Sequence, residues 1–488
     1  YIVDGMYISE TSFVDLTAAA GSVTGTTAES KVDYVMIEAS DDIIGVTVEA
    51  ATTADLIAGI DITGGTINAL GDATLTAGDE INGTVVQTNT LADLNAGLDI
   101  VGVSVDADTA TLDADEDIVG GSVSTVGDST LTAGVDIVGT VVDADNAMLT
   151  AGVNISAVAV NADTDAVLDA LTGHIQGSSV LAGDNADLTA ALEIDSTDVT
   201  AYNNIDAVAG TYIVASSFTA LNGYVDIEAV QDNIVSTTIV LKDEDASADD
   251  YVSVVAGLEL DNVNVDARAP VTAAAGTYIV DGMYISETAY VDLTAAAGSV
   301  TGTTAESKMD YVMIDASDDI IGVTVEAATT ADLIAGIDIT GGTINALETV
   351  TLDAGEEING TVVQTNTLAD LTAGLDIVGV SVDADTATLD AGEDIVGGSV
   401  STIADSTLTA AADIVGTVVD ADNAMLTAGV NISAVAVNAD TDAVLDALTG
   451  HIQGSSVLAG DDAVLTAALE IDSTDVTAYN NIDAVAGT

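Results

Sequence analysis

Carboxylates recur at a fixed position in this sequence. They stand directly before an isoleucine about every 19 residues, at Asp42, Asp61, Glu80, Asp99, Asp117 and Asp136. Divalent cations such as Ca²⁺ and Mg²⁺ take carboxylate oxygens as ligands. If the repeat stacks in register, these side chains lie about 4.8 Å apart. This acidic column is then either bridged by Ca²⁺ or Mg²⁺ between coils or chains, or forms a solvated outer face.

Catalytic chemistry finds little support among the other polar residues. Paired carboxylates can hydrolyse glycosides, but with 81 acidic residues some pair always falls at a suitable separation. The absence of Cys excludes disulfides, thiolate metal sites and cysteine nucleophiles. His174 and His451 are one position seen twice, each continuing the acidic column, either as a substituted outer-face residue or in a metal or pH-sensing role. We expect no enzyme.

The charge of the chain restricts its partners. The 488 residues include 81 acidic and only four basic ones, for a formal net charge of −77. Such a chain cannot neutralise phosphates, which excludes nucleic acid as a partner, and an anionic membrane surface repels it. Its expected small partners are cations. A mean hydropathy of +0.46 argues against disorder and for a folded chain.

Two nested repeats organise the sequence. YIVDGMYISE at Tyr1 recurs at Tyr278, and residues 278–488 copy residues 1–211 almost verbatim. Residues 212–277 read as an abbreviated version of the same unit, starting on Tyr212-Ile-Val. The sequence therefore predicts a long unit at 1–211, a short degenerate unit at 212–277 and a second long unit at 278–488.

The shorter repeat predicts the fold. Isoleucines recur at intervals of 18 to 20 residues, and five residues after each one stands Val or Ile; the isoleucines of the first long unit are Ile43, Ile62, Ile81, Ile100, Ile118, Ile137, Ile155, Ile175 and Ile194. In residues 91–107, Leu94, Ala96, Leu98 and Ile100 alternate and should share one face of a strand. Val103 and Val105 alternate with the opposite parity, so the chain should bend at Gly102.

This pattern predicts an all-β solenoid of roughly 25 coils, about 19 residues long, with two strands per coil. Each coil buries its apolar face only against its neighbours. A helical solenoid is disfavoured because period two fits these segments and period 3.6 does not. No apolar run approaches the roughly 20 residues that a membrane-spanning helix needs.

Two resemblances add to this prediction. LTAGVDIVGT (131–140) and LTAGLDIVGV (371–380) resemble the 19-residue haemagglutinin-type repeat of bacterial filamentous adhesins, which implies a right-handed parallel β-helix. The scarcity of Lys and Arg departs from those adhesins. The acidic, Cys-free, repetitive composition also resembles proteins of the tubular cell sheaths of methanogenic archaea, which are regarded as functional amyloids. That resemblance implies a self-assembling structural protein.

Basic and aromatic residues gather near the borders of the long units. Lys31, Lys308, Lys242 and Arg268 are expected either to pair with a neighbour's acidic face or to be plain surface residues. The aromatic residues are expected either to fill wider coils internally or to form an interface. Four sequons, at Asn82, Asn154, Asn359 and Asn431, are compatible with surface glycosylation.

The start and end of the sequence lead to an expectation about assembly. Tyr1 follows no signal sequence, which we interpret as a mature, exported protein at the cell surface or in the cell envelope. The junctions Gly210-Thr211 and Gly276-Thr277 lead directly into Tyr-Ile-Val, so Gly487-Thr488 of one copy could meet Tyr1 of another. We expect a head-to-tail homopolymer in a sheath, surface layer or filament. The alternatives are the stalk of a filamentous adhesin, a cation-binding surface protein, or a longer array in one polypeptide.

Overall fold

The computed structural model describes residues 1–242 and 249–487; Thr488, part of the expected junction, lies outside them. The described residues form strands, turns and bends, with no helix among them. The chain divides into two compact units, Tyr1–Asp250 and Tyr251–Thr488. The boundaries at 211/212 and 277/278 were drawn from sequence repetition and stay predictions.

Each unit is a parallel β-solenoid, as the repeat predicted. The described residues contain 75 strands at three per coil, which gives 25 coils, and successive coils pair in parallel. The predicted number of two strands per coil is wrong. The segment 91–101 is divided by a turn at residues 97–99 into the strands Leu91–Ala96 and Ile100–Val101.

Leu98 shows why the alternation of apolar residues did not predict the third strand of the coil. Ala96 and Ile100 are buried on either side of it, but Leu98 itself is 39% exposed on the turn. A residue that continues the apolar alternation in sequence therefore points outward, because the chain changes direction around it. Gly97 permits this tight corner: a Cβ on it would lie 2.1 Å from the carbonyl oxygen of Gly78 in the previous coil.

The first sheet of each unit holds the isoleucine column. Its strands have only two or three residues, and most of them carry an isoleucine that is buried against those of its neighbours, as Ile81 is between Ile62 and Ile100. The first-sheet strands of the unit Tyr1–Asp250 are Ile2–Val3, Val23–Thr24, Ile43–Ile44, Ile62–Thr63, Ile81–Asn82, Ile100–Val101, Ile118–Val119, Ile137–Val138, Ile155–Ser156, Ile175–Gln176, Glu193–Asp195, Tyr212–Val214 and Ile234–Val235. Those of the unit Tyr251–Thr488 are Glu259–Asp261, Tyr278–Val280, Val300–Thr301, Ile320–Ile321, Ile339–Thr340, Ile358–Asn359, Ile377–Val378, Ile395–Val396, Ile414–Val415, Ile432–Ser433, Ile452–Gln453 and Ile471–Asp472.

The second sheet contributes the valine column. Its four-residue strands turn their second and fourth residues inward, as Val105 and Ala107 do. The second-sheet strands of the first unit are Met6–Ser9, Thr27–Ser30, Thr47–Ala50, Thr66–Ala69, Val85–Thr88, Ser104–Ala107, Ser122–Thr125, Val141–Ala144, Ala159–Ala162, Ser179–Ala182, Asp198–Ala201, Ser217–Ala220 and Thr238–Leu241. Those of the second unit are Asn264–Ala267, Met283–Ser286, Thr304–Ser307, Thr324–Ala327, Thr343–Ala346, Val362–Thr365, Ser381–Ala384, Ser399–Thr402, Val418–Ala421, Ala436–Ala439, Ser456–Ala459 and Asp475–Ala478.

The third sheet completes the core with an Ala-x-Leu-x-Ala pattern, seen at Ala92, Leu94 and Ala96. Its strands in the first unit are Val14–Ala18, Val35–Ala39, Ala54–Ala58, Ala73–Ala77, Leu91–Ala96, Thr109–Ala114, Ser129–Ala133, Ala147–Ala151, Ala166–Ala170, Ala186–Ala190, Ile205–Ala209 and Tyr224–Ala229. Those in the second unit are Tyr251–Ala256, Val271–Ala275, Val291–Ala295, Val312–Ala316, Ala331–Ala335, Thr349–Ala354, Leu368–Ala373, Thr386–Ala391, Asp405–Ala410, Asn423–Ala428, Ala443–Ala447, Ala463–Ala467 and Ile482–Ala486.

The bend between the first and second sheets has a left-handed backbone, as predicted at Gly102, whose φ is 59°. A Cβ at Gly102 or Gly139 would meet nothing within 4 Å, so glycine is favoured there by conformation and not by crowding. Where glycine is missing the φ is unchanged: Ala157 and Ala434 both have a φ of 53°. These alanines are strained because Cβ disfavours the left-handed region.

Replacing a strained alanine at this bend is therefore expected to stabilise the solenoid. Ala157→Gly should raise the melting temperature, because it removes a backbone strain of about 1 kcal/mol. The gain is partly offset by the greater freedom of glycine in the unfolded chain. Gly139→Ala is the matched control and should lower the melting temperature. Equal effects of both substitutions on thermal unfolding would contradict the strain at this position.

Candidate functional site

The acidic column lies on the turn just before each first-sheet strand, where its side chains are half-buried. In four of its aspartates, Asp61, Asp99, Asp117 and Asp136, Oδ1 accepts a hydrogen bond from the backbone of the next coil. The N–H of Asp117 donates to Oδ1 of Asp99, that of Asp136 to Oδ1 of Asp117, and that of Asn154 to Oδ1 of Asp136, all at 2.9 Å. The column is therefore a ladder in which side chains bind the backbone of the following coil.

Asp61 follows this rule, because its Oδ1 accepts from the N–H of Glu80 at 3.0 Å. Asp42 differs, because its Oδ2 accepts from the hydroxyl of Ser22 in the preceding coil. Asn154 keeps the acceptor without the charge: its Oδ1 accepts from the N–H of His174, and its Nδ2 donates to Asp136. A short side chain with a carbonyl oxygen meets the requirement whether or not it is ionised.

This ladder supplies a structural reason for the acidic column, whereas the predicted Ca²⁺ or Mg²⁺ stays a prediction. Among the residues that the structure describes, no three His, Asp or Glu side chains converge in a metal-coordinating group. One oxygen of Asp99, Asp117 and Asp136 is used by a backbone N–H. A bridging cation would have to use the remaining oxygens of neighbouring coils.

A second ladder, absent from the sequence-based prediction, lies just before the third-sheet strands. Asn185 donates to Oδ1 of Asp165 through its N–H and Nδ2, and Asn204 donates in the same way to Oδ1 of Asn185. The N–H of Tyr224 then donates to Oδ1 of Asn204. The sequence signal that indicates this second ladder is an Asp or Asn immediately before an inward-facing apolar residue, as in Asp165-Ala166, Asn185-Ala186 and Asn204-Ile205.

The histidines and lysines lie on the surface of the coils. Nδ1 of His174 is 3.3 Å from a carboxylate oxygen of Glu193 in the following coil, and half of its side chain is exposed. Lys31 pairs with Glu29, and Lys308 pairs with Glu287. The Glu287 carboxylate raises the pKa of Lys308. Lys31 in the first unit and Lys308 in the second thus each have an acidic partner from the same unit.

The aromatic residues serve more than one purpose. Phe218 and Tyr284 replace valine in the second-sheet column and are fully buried, as expected of residues that fill wider coils. The Tyr284 hydroxyl is buried and has no hydrogen-bond partner among the described residues, and burial raises the pKa of this tyrosine. Tyr290 and Tyr311 stack on the outside, with ring centroids 5.0 Å apart. Tyr1 and Tyr479 are largely exposed.

Each unit carries a shallow polar groove on the outer face of its second sheet. The groove of the first unit has a volume of ≈ 580 Å³ and is lined by residues that include Glu29, Glu49, Asn68 and Gln87. Its counterpart in the second unit, of ≈ 660 Å³, has the corresponding residues 277 positions later. The groove follows in-register side chains of adjacent coils.

The outermost coils expose residues that are buried elsewhere in the chain. Tyr7 is 38% exposed, but its copy Tyr284 is fully buried beneath Val265 of the preceding coil. Ile482 is 52% exposed, but its copy Ile205 is fully buried between Ala186 and Val225. The same segments therefore show both states, and the difference is the presence of one more coil.

Carboxylates also line up on the outer face of the third sheet. Asp187, Asp206 and Asp226 occupy the same position in three successive strands. Burial raises the pKa of Asp187, and the neighbouring Asp206 and Asp169 raise it further. In the second unit the copy of Asp187 is Val464. The chain therefore offers its own uncharged substitute for the crowded residue.

Comparison with known proteins returns no relative: no family model, no curated protein and no solved structure matches the chain. Nor do the described residues include any helix that is long and apolar enough to cross a membrane. What the chain does must therefore be inferred from its own residues.

Substitutions of Asp117 separate the ladder from a role of the charge. Asp117→Asn keeps the Oδ1 acceptor and should retain the wild-type melting temperature in the presence of a chelator. Asp117→Ala leaves the N–H of Asp136 without its acceptor and should cost about 1 kcal/mol. If Asn proves as damaging as Ala, and only when Ca²⁺ or Mg²⁺ is present, the carboxylate acts as a cation ligand instead.

The raised pKa of Asp187 predicts a pH dependence of stability. Because folding raises this pKa, the ionised carboxylate destabilises the fold at pH values above it. Stability should increase as the pH falls through the raised pKa, and this gain should be complete below the ordinary value of 3.8. Asp187→Val should raise the melting temperature at pH 7 and reduce its pH dependence. An unchanged pH profile of thermal unfolding would refute this.

Proposed function

We propose that this chain is a structural protein of an extracellular polymer, such as a cell sheath, surface layer or filament. Copies of the chain join through the edges of their outermost coils. One observation carries the proposal: Tyr284, near the start of a long repeat, and Ile205, near the end of one, are fully buried where the coil of the adjoining repeat covers them.

The edges have both components that strand addition requires. Among the described residues, the strand Met6–Ser9 pairs with Thr27–Ser30, and the strand Ile482–Ala486 pairs with Ala463–Ala467. A strand paired on one side presents a row of backbone donors and acceptors to a further coil. The apolar side chains of the same strands would be buried by an added coil. Together, these features favour edge-to-edge addition.

The sequence makes the two edges complementary to each other. Residues 205–209 and 482–486 both read IDAVA, and the residues from Tyr212 onward resemble those from Tyr1 onward. Inside the first unit, the strand Ile205–Ala209 pairs with the strand Tyr224–Ala229, the counterpart of Val14–Ala18. A junction between copies would repeat this pairing. Because the contact joins two different surfaces, it does not close on itself after two copies.

Composition supports a barrier role outside the cell. A chain with only four Lys and Arg residues offers trypsin few cleavage sites, and coil stacking pairs most of its backbone. The negative charge keeps the outer faces hydrated and opposes lateral aggregation. The resemblance to methanogen sheath proteins points the same way. An adhesin stalk remains the alternative, and it would be a rod that does not polymerise.

Charged residues at the edges test the proposal. The double variant Tyr7→Lys and Ile482→Lys should stay folded but lose polymerisation, because both positions are solvent-exposed in the single chain and would be buried in a junction. Asn95→Lys and Thr132→Lys add the same charge to exposed third-sheet positions and form the matched control. Sedimentation and electron microscopy should show filaments for the wild type and the control only. A wild type that stays monomeric at high concentration would contradict the proposal.

A further inference from the structure

One wall of the groove on the outer face of the second sheet is a polar column. Five successive strands of the first unit hold in register the residues Glu29, Glu49, Asn68, Gln87 and Asp106. Because adjacent parallel strands lie about 4.8 Å apart, the column extends carboxylates and amides over roughly 19 Å. The second unit repeats the same column from Glu306 to Asp383.

The opposite wall of the groove has an apolar part. Leu70 stands on the turn after the strand Thr66–Ala69 and is 64% exposed, and its copy Leu347 is 59% exposed. Each leucine lines the groove of its own unit, next to alanines such as Ala51. The groove therefore offers carboxylates and amides on one side and hydrocarbon on the other. This combination fits a ligand that carries both charge and apolar segments.

An amide acceptor in the middle of the polar column lacks a donor. Oδ1 of Asn68 is buried and has no hydrogen-bond partner among the described residues, and the same is true of Oδ1 of Asn345 in the second unit. The neighbours of Asn68 in the column are Glu49 and Gln87. A buried acceptor without a donor is unfavourable. An N–H group that enters the groove between these neighbours would supply the missing hydrogen bond.

The carboxylates of the groove have few basic partners within the chain. Lys31 pairs with Glu29 at one end of the first groove. Among the residues that the structure describes, no ion pair involves Glu49 or Asp106, nor their copies in the second unit. Only four Lys and Arg residues are present in the whole sequence. The charge that complements this groove is therefore that of a cationic ligand.

We propose that each groove binds a linear polyamine, a chain of protonated amines separated by short methylene segments. The amines donate hydrogen bonds along the column, to the carboxylates of Glu49 and Asp106 and to Oδ1 of Asn68, while the methylene segments contact Leu70. An inorganic cation would leave the apolar wall unused. An extended peptide would bring backbone groups that the second sheet cannot pair, because its strands here are paired on both sides.

The test is calorimetric titration of the intact chain with spermine, in about 0.15 M NaCl to screen the general attraction of a polyanion. Two spermine molecules should bind per chain. Leu70→Ser with Leu347→Ser keeps every charge, and it should weaken spermine binding about threefold while leaving Mg²⁺ binding unchanged.

A pair of charge variants completes the test. Glu49→Gln with Glu326→Gln removes one carboxylate from each groove and should weaken spermine binding up to about fivefold. Asp113→Asn with Asp390→Asn removes the same charge from the outer face of the third sheet and should keep the wild-type affinity. All four positions are exposed, so both variants should melt as the wild type does.

Diffuse attraction between a polyanion and a polycation gives a different set of results. It predicts that the two charge variants weaken spermine binding equally, that the leucine variant has the wild-type affinity, and that the stoichiometry is far above two. Any of these results, or no binding of spermine at all, would overturn the proposal. Because the site lies within one unit and needs no second copy, its failure would leave the proposed assembly untouched.

Discussion

In-register stacking of parallel coils is the constraint on which every other feature of this molecule depends. Each residue lies above its equivalent in the neighbouring coil, so any property of one coil becomes a column. Ile81 is buried between Ile62 and Ile100 for this reason, and Leu94 contacts Leu75 and Leu112 in the same way. Most coils fill their core with aliphatic side chains alone, whereas Phe218 and Tyr284 are buried aromatic residues.

The same constraint concentrates unfavourable features as well as favourable ones. A left-handed residue is needed at each bend, and a carboxylate at one coil position meets a carboxylate at the next. Glycine supplies the left-handed residue at most bends, as at Gly102. In the acidic column, Asp and Asn side chains accept hydrogen bonds from the following coil, as those of Asp99 and Asn154 do. Ala157 occupies such a bend without being glycine and is strained. Asp187 lies close to other carboxylates, and its pKa is raised.

The fold could be predicted from the sequence because its columns repeat in phase, and Ile100, Val105 and Gly102 play the roles assigned to them. The third strand could not, because Leu98 continues the apolar alternation while its backbone turns a corner. The ladder at Asn185 and Asn204 was also missed, since a side-chain bond to the next coil depends on turn geometry that periodicity does not encode. The acidic column was recognised by position, but its hydrogen bonds to backbone N–H groups emerged only from the structure.

The proposed function requires that the repeat closing on Ile482–Ala486 stacks on a repeat opening at Tyr1 in the register of the internal junction, in which positions 206 and 226 correspond to 483 and 15. Since the chain has no cysteine, one Cys at position 483 and one at position 15 can report that register by disulfide trapping between copies. Asp206→Cys with Asp226→Cys, which face each other within one chain, supplies the intramolecular reference. We expect the 483/15 cysteine pair to form covalent oligomers at a rate near that of disulfide formation in the 206/226 pair. We expect no covalent oligomers when Cys at position 483 is combined with Thr132→Cys. Equal trapping of both pairs, or of neither under polymerising conditions, would contradict it.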